Sequence, residues 1–184
     1  MKIKVIEESE NLLVLELCKI DNSLVNAIRR ICIAEVSTYA VDTVDFIKNT
    51  GILNNEYVAH RLGLCVLKVE GELKSSKISL DFVCEKEKEY VLISDFTFPE
   101  NIKPVFPNTK ISVLTKGQEL TLEANIKEGS GLEHSKWSPV CPAFFRPVNN
   151  NYHLTIESTG SLTPREIFNK AIEKLDTKLE TLTF

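Results

Sequence analysis

The chain has 184 residues, 26% of them charged and 43% hydrophobic, and a formal net charge of −4. That composition is ordinary for a globular protein, and it gives no sign of a surface built mainly to hold nucleic acid, which is normally basic. No apolar run approaches the ~18–20 residues of a membrane span, and the start MKIKVIEESE lacks a signal-peptide apolar core, so the mature protein is expected to be intracellular.

Ile3 and Val5 alternate with Lys2 and Lys4, residues 9–11 are polar, and Leu13, Leu15 and Leu17 alternate again. This pattern predicts a β-hairpin. Asp21, Asn22 or Ser23 can cap the helix that follows over 22–36, NSLVNAIRRICIAEV,. Leu24, Ala27, Ile28 and Ile31 make one apolar arc, while Val25, Cys32, Ile33 and Val36 carry apolar character to the far side. A helix apolar nearly all round must be covered from more than one side. Asn26 and Arg30 share a polar sector, Arg29 stands apart from it, and Glu35 falls inside the apolar arc.

Residues 41–48 read as a strand, and Asn54-Asn55 opens a short helix, EYVAHRLGL, in which Val58, Leu62 and Cys65 face one way,. From Cys65 to Val148 the pattern is mainly β. Ile78, Leu80 and Phe82 alternate with polar neighbours, EKEKE is a solvated turn, and Pro99, Pro104 and Pro107 break the chain into an extended loop,. The cleanest alternation is Leu120, Leu122, Ala124 and Ile126 against Glu119, Thr121, Glu123 and Asn125, which predicts a half-buried strand. The loop EGSGLEHSKWSP and the strand VCPAFF follow, and Pro147 with Asn149-Asn150-Asn151 forms a polar break.

Tyr152, Leu154 and Ile156 resume a strand. Thr163-Pro164-Arg165-Glu166 is a capping box with proline at the first helical position,. The helix it opens runs to about Leu182, with Ile167, Phe168, Ala171, Ile172, Leu175, Leu179 and Leu182 in one apolar arc,.

The fold class is therefore α+β. Two end segments, 1–40 and 150–184, form a discontinuous subdomain of small antiparallel sheet with two helices, interrupted by a mostly β insert at 41–149. So little sheet leaves apolar helix surface exposed, and such a patch marks a protein interface. Leu24, Ile28 and Ile31 fit either intrachain core or partner contact. Leu175, Leu179 and Leu182 fit a partner better, because they lie on the last turns.

The five cysteines, Cys18, Cys32, Cys65, Cys84 and Cys141, include no CxxC pair, and His60, His134 and His153 are far apart. Small buried apolar residues are the expectation for the cysteines, and neither a disulfide framework nor a metal site is expected. Glu56 and His60 stand at i, i+4, but no nucleophile, phosphate loop or carboxylate pair accompanies them,.

Four blocks in order carry a resemblance over nearly the whole chain. They are NAIRRICIAEVSTYAVDTVDFIKNT (26–50), NEYVAHRLGL (55–64), KGQELTLEANIKEGSGLEHSKWSPV and ESTGSLTPREIFNKAIEKL. The chain resembles the D-subunit family of archaeal RNA polymerase, which includes the third-largest subunit of nuclear RNA polymerase II and the amino-terminal domain of bacterial alpha. The resemblance implies a non-catalytic assembly platform. Its dimerisation subdomain, 1–40 with 150–184, pairs with an L-type small subunit and docks the two large catalytic subunits, and N- and P-type small subunits join the same platform. On this basis the dimerisation interface is Leu24, Ile28, Ile31, Phe168, Ala171, Leu175, Leu179 and Leu182. Large-subunit docking falls to Arg29, Arg30, His60 and Arg61, and a further subunit-contact loop to His134, Lys136 and Trp137.

Two departures from the family pattern shape further expectations. Some members carry a cysteine cluster for zinc or an iron–sulfur centre, whereas this chain keeps Cys65 and Cys84 in that region, so no cofactor is expected. The bacterial protein's separate DNA-binding domain has no counterpart after the last helix, so direct DNA binding is not expected. An α-like homodimeric scaffold for another complex is the alternative function. The localisation expected is cytoplasmic, as in an archaeal cell, with nuclear or viral origin as the alternatives.

Overall fold

The computed structural model describes residues 2–71, 73 and 75–181. In chain order the elements are β1 (Lys2–Glu8), β2 (Leu12–Cys18), α1 (Asn22–Ala34), β3 (Thr38–Asn49), α2 (Asn55–Gly63), β4 (Leu67–Val69), β5 (Lys77–Val83), β6 (Lys88–Leu92), β7 (Ile102–Pro104), β8 (Lys110–Thr115), β9 (Glu119–Gly129), β10 (Val140–Val148), β11 (Asn151–Ser158) and α3 (Pro164–Glu180). They divide into two compact units, Met1–Thr38 with Gly129–Phe184, and Tyr39–Glu128.

The first unit is a four-stranded antiparallel sheet in the order β1-β2-β11-β10, with α1 and α3 packed on it. The alternation read in 13–17 is real: Leu13, Leu15 and Leu17 are buried, and they meet Val25, Ile28, Leu154, Ile156 and Ile167 in one core. α1 starts where Asp21 accepts a hydrogen bond from the Ser23 amide at 2.8 Å. α3 starts on the predicted capping box, with Thr163 and Glu166 each holding the other's backbone amide. The helices are tied at one end by an ion pair between Glu35 and Lys178. Glu35, the acidic residue inside α1's apolar arc, is thereby matched by a cation on α3.

β1 is an edge strand and is exposed along its length. Ile3 and Val5 pair with Leu17 and Leu15, so they share the helix-bearing face, yet neither helix covers them. Lysines at 2 and 4 and a register shift between Val5 and Glu7 blunt this edge against further strand pairing,.

The sequence places the second boundary of the insert at 149, and the structure corrects this. Asn149 and Asn150 both have positive φ, 46° and 62°, and they close a two-residue turn between β10 and β11, which pair from Val148↔Asn151 to Val140↔Ser158. Positive φ at both central residues is the hairpin turn that matches strand twist, and asparagine adopts it at low cost. The polar break is thus a hairpin within one sheet. β10 and the loop before it belong with the chain ends, and the sheet available to cover α1 and α3 is larger than the end segments alone supply.

The second unit contains α2, a three-stranded sheet β3-β9-β5 and two ribbons, β4-β7 and β6-β8. The alternating strand of 119–126 is β9. It sits centrally in its sheet, with Leu120, Leu122, Ala124 and Ile126 buried beside Ile78 and Leu80 of β5. Asn54 caps α2 by accepting from the Tyr57 amide at 3.2 Å, and α2 seats Val58 and Leu62 in this core. The proline-broken loop contains the short strand β7.

Candidate functional site

α1 and α3 carry the first group of predicted contacts, and the structure divides that group. Ile28, Ile31, Phe168 and Ala171 are buried in the first unit's own core. The expectation that they face a partner is corrected: the enlarged sheet beneath and the neighbouring helix already cover them. Leu24 and Leu175 are only partly buried against that core, and Leu179 is 54% exposed. Leu182 lies outside the described residues.

Along α3 the stripe Phe168, Ile172, Leu175, Leu179 follows helical spacing. Its burial fades from 7% exposure at Phe168, through partly buried Ile172 and Leu175, to the half-open Leu179. The last turns of the helix therefore carry apolar side chains that the unit's core does not enclose. Ile172 belongs to this surface although the interface expected from the sequence passed over it. It stood in the predicted apolar arc, so periodicity could have found it. Ile3 and Val5 were also missed, since alternation alone cannot tell an edge strand from a covered one.

Arg29 does not stand apart. Its Nε and Nη2 donate to Asn26 Oδ1 at 3.2 and 3.0 Å, which fixes the guanidinium against its own helix. Arg30 is exposed and has no ion-pair partner among the described residues. On α2, His60 is exposed and makes no hydrogen bond to Glu56. Arg61 is held from within the chain, its Nε donating to the Lys110 carbonyl at 2.9 Å and its Nη2 to the same oxygen. The docking expectation therefore narrows to Arg30 and His60 as the unengaged groups.

The loop after β9 packs within the first unit. Trp137 is buried, its carbonyl accepts from Thr38 Oγ1 at 2.7 Å, and Lys136 lies over its ring at 4.2 Å. His134 is exposed, and its Nδ1 accepts from the Lys136 amide at 3.0 Å, capping the 3-10 turn Ser135–Trp137. The glycines explain the loop's approach. A Cβ on Gly129 would stand 2.5 Å from the Trp137 ring, and one on Gly131 would stand 2.4 Å from the Ile33 carbonyl at the end of α1. The Leu132 amide then donates to the Ala34 carbonyl at 2.8 Å, which satisfies an otherwise open helix end,. Trp137 thus acts as an internal anchor, leaving the exposed His134 beside it as the accessible member of the predicted trio.

The cysteines are dispersed through the two units. Among the described residues no three His, Cys, Asp or Glu gather closely enough to hold a metal. Cys65 and Cys84 lie in the second unit's core and donate to the Arg61 and Lys86 carbonyls. Burial pushes the Cys65 thiol up to about 11 and the Cys32 thiol up to about 12, which keeps both protonated and unreactive at neutral pH.

Residues 15–179 match the model of the RNA polymerase Rpb3/Rpb11 dimerisation domain. The chain belongs to that family. It is 34% identical over 160 residues to DNA-directed RNA polymerase subunit Rpo3 of Methanocaldococcus jannaschii, covering 86% of this chain and 82% of that one. It is 32% identical over 178 residues to DNA-directed RNA polymerases I and III subunit rpac1 of Dictyostelium discoideum, covering 79% and 52%. It is 31% identical over 178 residues to DNA-directed RNA polymerases II, IV and V subunit 3 of Arabidopsis thaliana, covering 78% and 56%. The chain therefore spans most of the first relative and little more than half of the other two. No described helix is long and apolar enough to cross a membrane.

Proposed function

We propose that this chain is an Rpo3/Rpb3-type subunit of a multi-subunit DNA-directed RNA polymerase. It carries no catalytic step of its own and serves as an assembly platform. It pairs through α1 and α3 with an L-type small subunit, and the pair recruits the two large catalytic subunits, with N- and P-type small subunits added to the same platform.

The observation that carries this role is the fading of burial along α3. Isolated exposed leucines are unremarkable. A helical stripe that begins in the core and emerges at Leu175 and Leu179, with partly buried Leu24 on α1, is the surface a second pair of helices would complete. A stripe of this kind joins two subunits by extending one core into another. Arg30 and His60 are the unengaged polar groups for the large subunits, since arginine suits interface ion pairs.

Co-expression with the cognate L-type subunit tests the role. A soluble 1:1 complex by light scattering is the expected result. A stable monomer with no affinity for that subunit overturns it, and a homodimer at micromolar concentration moves the assignment to an α-like scaffold. Arg30→Glu should leave the pair intact and block recruitment of the large subunits; normal assembly of that variant would remove Arg30 from the docking surface.

A further inference from the structure

The second unit holds a surface cleft of about 200 Å³ between α2 and the β6-β8 ribbon. Leu53, Ile111 and Val113 give it an apolar lining, and two tyrosines, Tyr57 and Tyr90, stand at it, 49% and 44% exposed. Three cations gather on these rings. The Arg61 guanidinium lies 6.0 Å from the Tyr57 centroid, and the Lys110 and Lys88 ammonium groups lie 4.1 and 5.6 Å from the Tyr90 centroid.

Strand geometry explains why the cations collect there without acids. Lys88 and Tyr90 share one face of β6, and Tyr90 pairs with Val113 of β8,. Glu89 falls on the opposite face and is engaged by Lys86. None of Arg61, Lys88 and Lys110 has a carboxylate at ion-pair distance among the described residues. The Arg61 guanidinium is nevertheless fixed, because it donates to the Lys110 carbonyl. Like charges held together on exposed aromatic faces, beside an apolar hollow, form an incomplete site: the rings attract cations, and no carboxylate among the described residues pairs with them.

We propose that this cleft seats an acidic peptide segment with one aromatic or aliphatic anchor, supplied by another subunit, which rests on the assembly role proposed above. The anchor enters the hollow lined by Leu53, Ile111 and Val113. Aspartate or glutamate side chains flanking it meet Arg61, Lys88 and Lys110. A nucleic-acid strand is disfavoured because it needs a basic track along its backbone, and this chain has a net charge of −4 with only this small cluster at the cleft.

The test uses the full chain and a fluorescein-labelled peptide, Asp-Glu-Asp-Phe-Asp-Glu-Leu-Asp. Its Asn/Gln counterpart and a thymidine octanucleotide serve as comparison probes, all read by fluorescence anisotropy. Micromolar binding of the acidic peptide is expected, weakened several-fold between about 50 and about 300 mM salt. Affinity should fall about tenfold or more in the Lys88→Glu, Lys110→Glu double variant, and to a smaller extent in Lys110→Gln, which keeps most of the stem. An unchanged urea midpoint of the variants reports that the second unit remains folded, and pairing with the L-type subunit, measured on the same variants, tests the assembly role separately. Absence of peptide binding, equal binding of the neutral peptide, or binding unaltered in the double variant overturns the cleft assignment even where pairing is intact. Tighter binding of the octanucleotide through the same lysines would replace the peptide with nucleic acid.

Discussion

Leu179→Ala separates an interface role from a core role, because Leu179 is 54% exposed and its removal costs the isolated chain little. Full burial of a leucine side chain is worth ~1.5–3 kcal/mol. The open 54% of Leu179 therefore leaves about 0.8–1.6 kcal/mol to be gained in a complex. Truncation should weaken pairing with the L-type subunit by about 4- to 15-fold, read by isothermal titration calorimetry. The urea midpoint of the chain alone should move by no more than the equivalent of about 0.7–1.4 kcal/mol, the share of the same burial energy that the covered part of the residue already contributes,. Ile31→Ala is the counterpart. Ile31 is buried among Ile28, Cys32 and Ala171, so its loss should destabilise the chain itself by ~2–5 kcal/mol. An unchanged pairing constant for Leu179→Ala would show that the last turns of α3 are not the contact.

Gly131→Ala should lower the urea midpoint by the equivalent of ~1–3 kcal/mol, since the new Cβ meets the backbone of α1 at 2.4 Å and cannot be relieved by a side-chain rotation; wild-type stability would mean that the loop does not press on that helix end. Iodoacetamide at pH 8 should label exposed Cys141 first and leave Cys32 and Cys65 to react only on unfolding, because burial holds their thiols up at about 12 and about 11; native-state labelling of either at the rate of Cys141 would contradict that burial. Stability should also fall on the acid side. The Arg165 guanidinium holds the Glu8 carboxyl below the usual range, the Lys4 ammonium does the same for Glu16, and hydrogen bonds from Ser23 do so for Asp21. Carboxyls more acidic in the folded chain than in the unfolded one stabilise it above about pH 4 and lose that contribution as pH falls through their lowered values. Glu16→Gln should flatten this acid limb in urea titrations, and an unchanged limb would remove the Lys4 pair as its cause.

Much of the fold was legible because it is written in local chemistry. The β1–β2 hairpin, the Asp21 and Asn54 caps, the Thr163–Glu166 box and the alternation of β9 each depend on residues close in the chain. The turn at Asn149 and Asn150 was equally local, but two asparagines signal either a loop between domains or a tight hairpin, and only the pairing of β10 with β11 distinguishes them. The cleft of the second unit left no trace in linear spacing. Tyr57 and Arg61 are far in sequence from Tyr90 and Lys110, and packing of α2 beside the β6-β8 ribbon creates the site.

The order of motifs along the chain was enough to identify the family, and residue periodicity was enough to say that α1 and α3 each carry an apolar face. Which apolar residues remain available to a partner was decided by tertiary structure alone. Periodicity states which side chains share a face, whereas burial depends on how far the neighbouring sheet extends beneath that face. Here β10 adds a strand against α1, and α3 packs on α1, β11 and β2; Ile28, Ile31, Phe168 and Ala171 are buried in that core, while Leu24, Leu175 and Leu179 keep apolar surface open. The same logic divides the arginines. Charge could be read at 29, 30 and 61, and the Asn26 acceptor of Arg29 lies three residues away on the same helix, within reach of helical spacing; the Lys110 carbonyl that engages Arg61 is brought to it only by the fold.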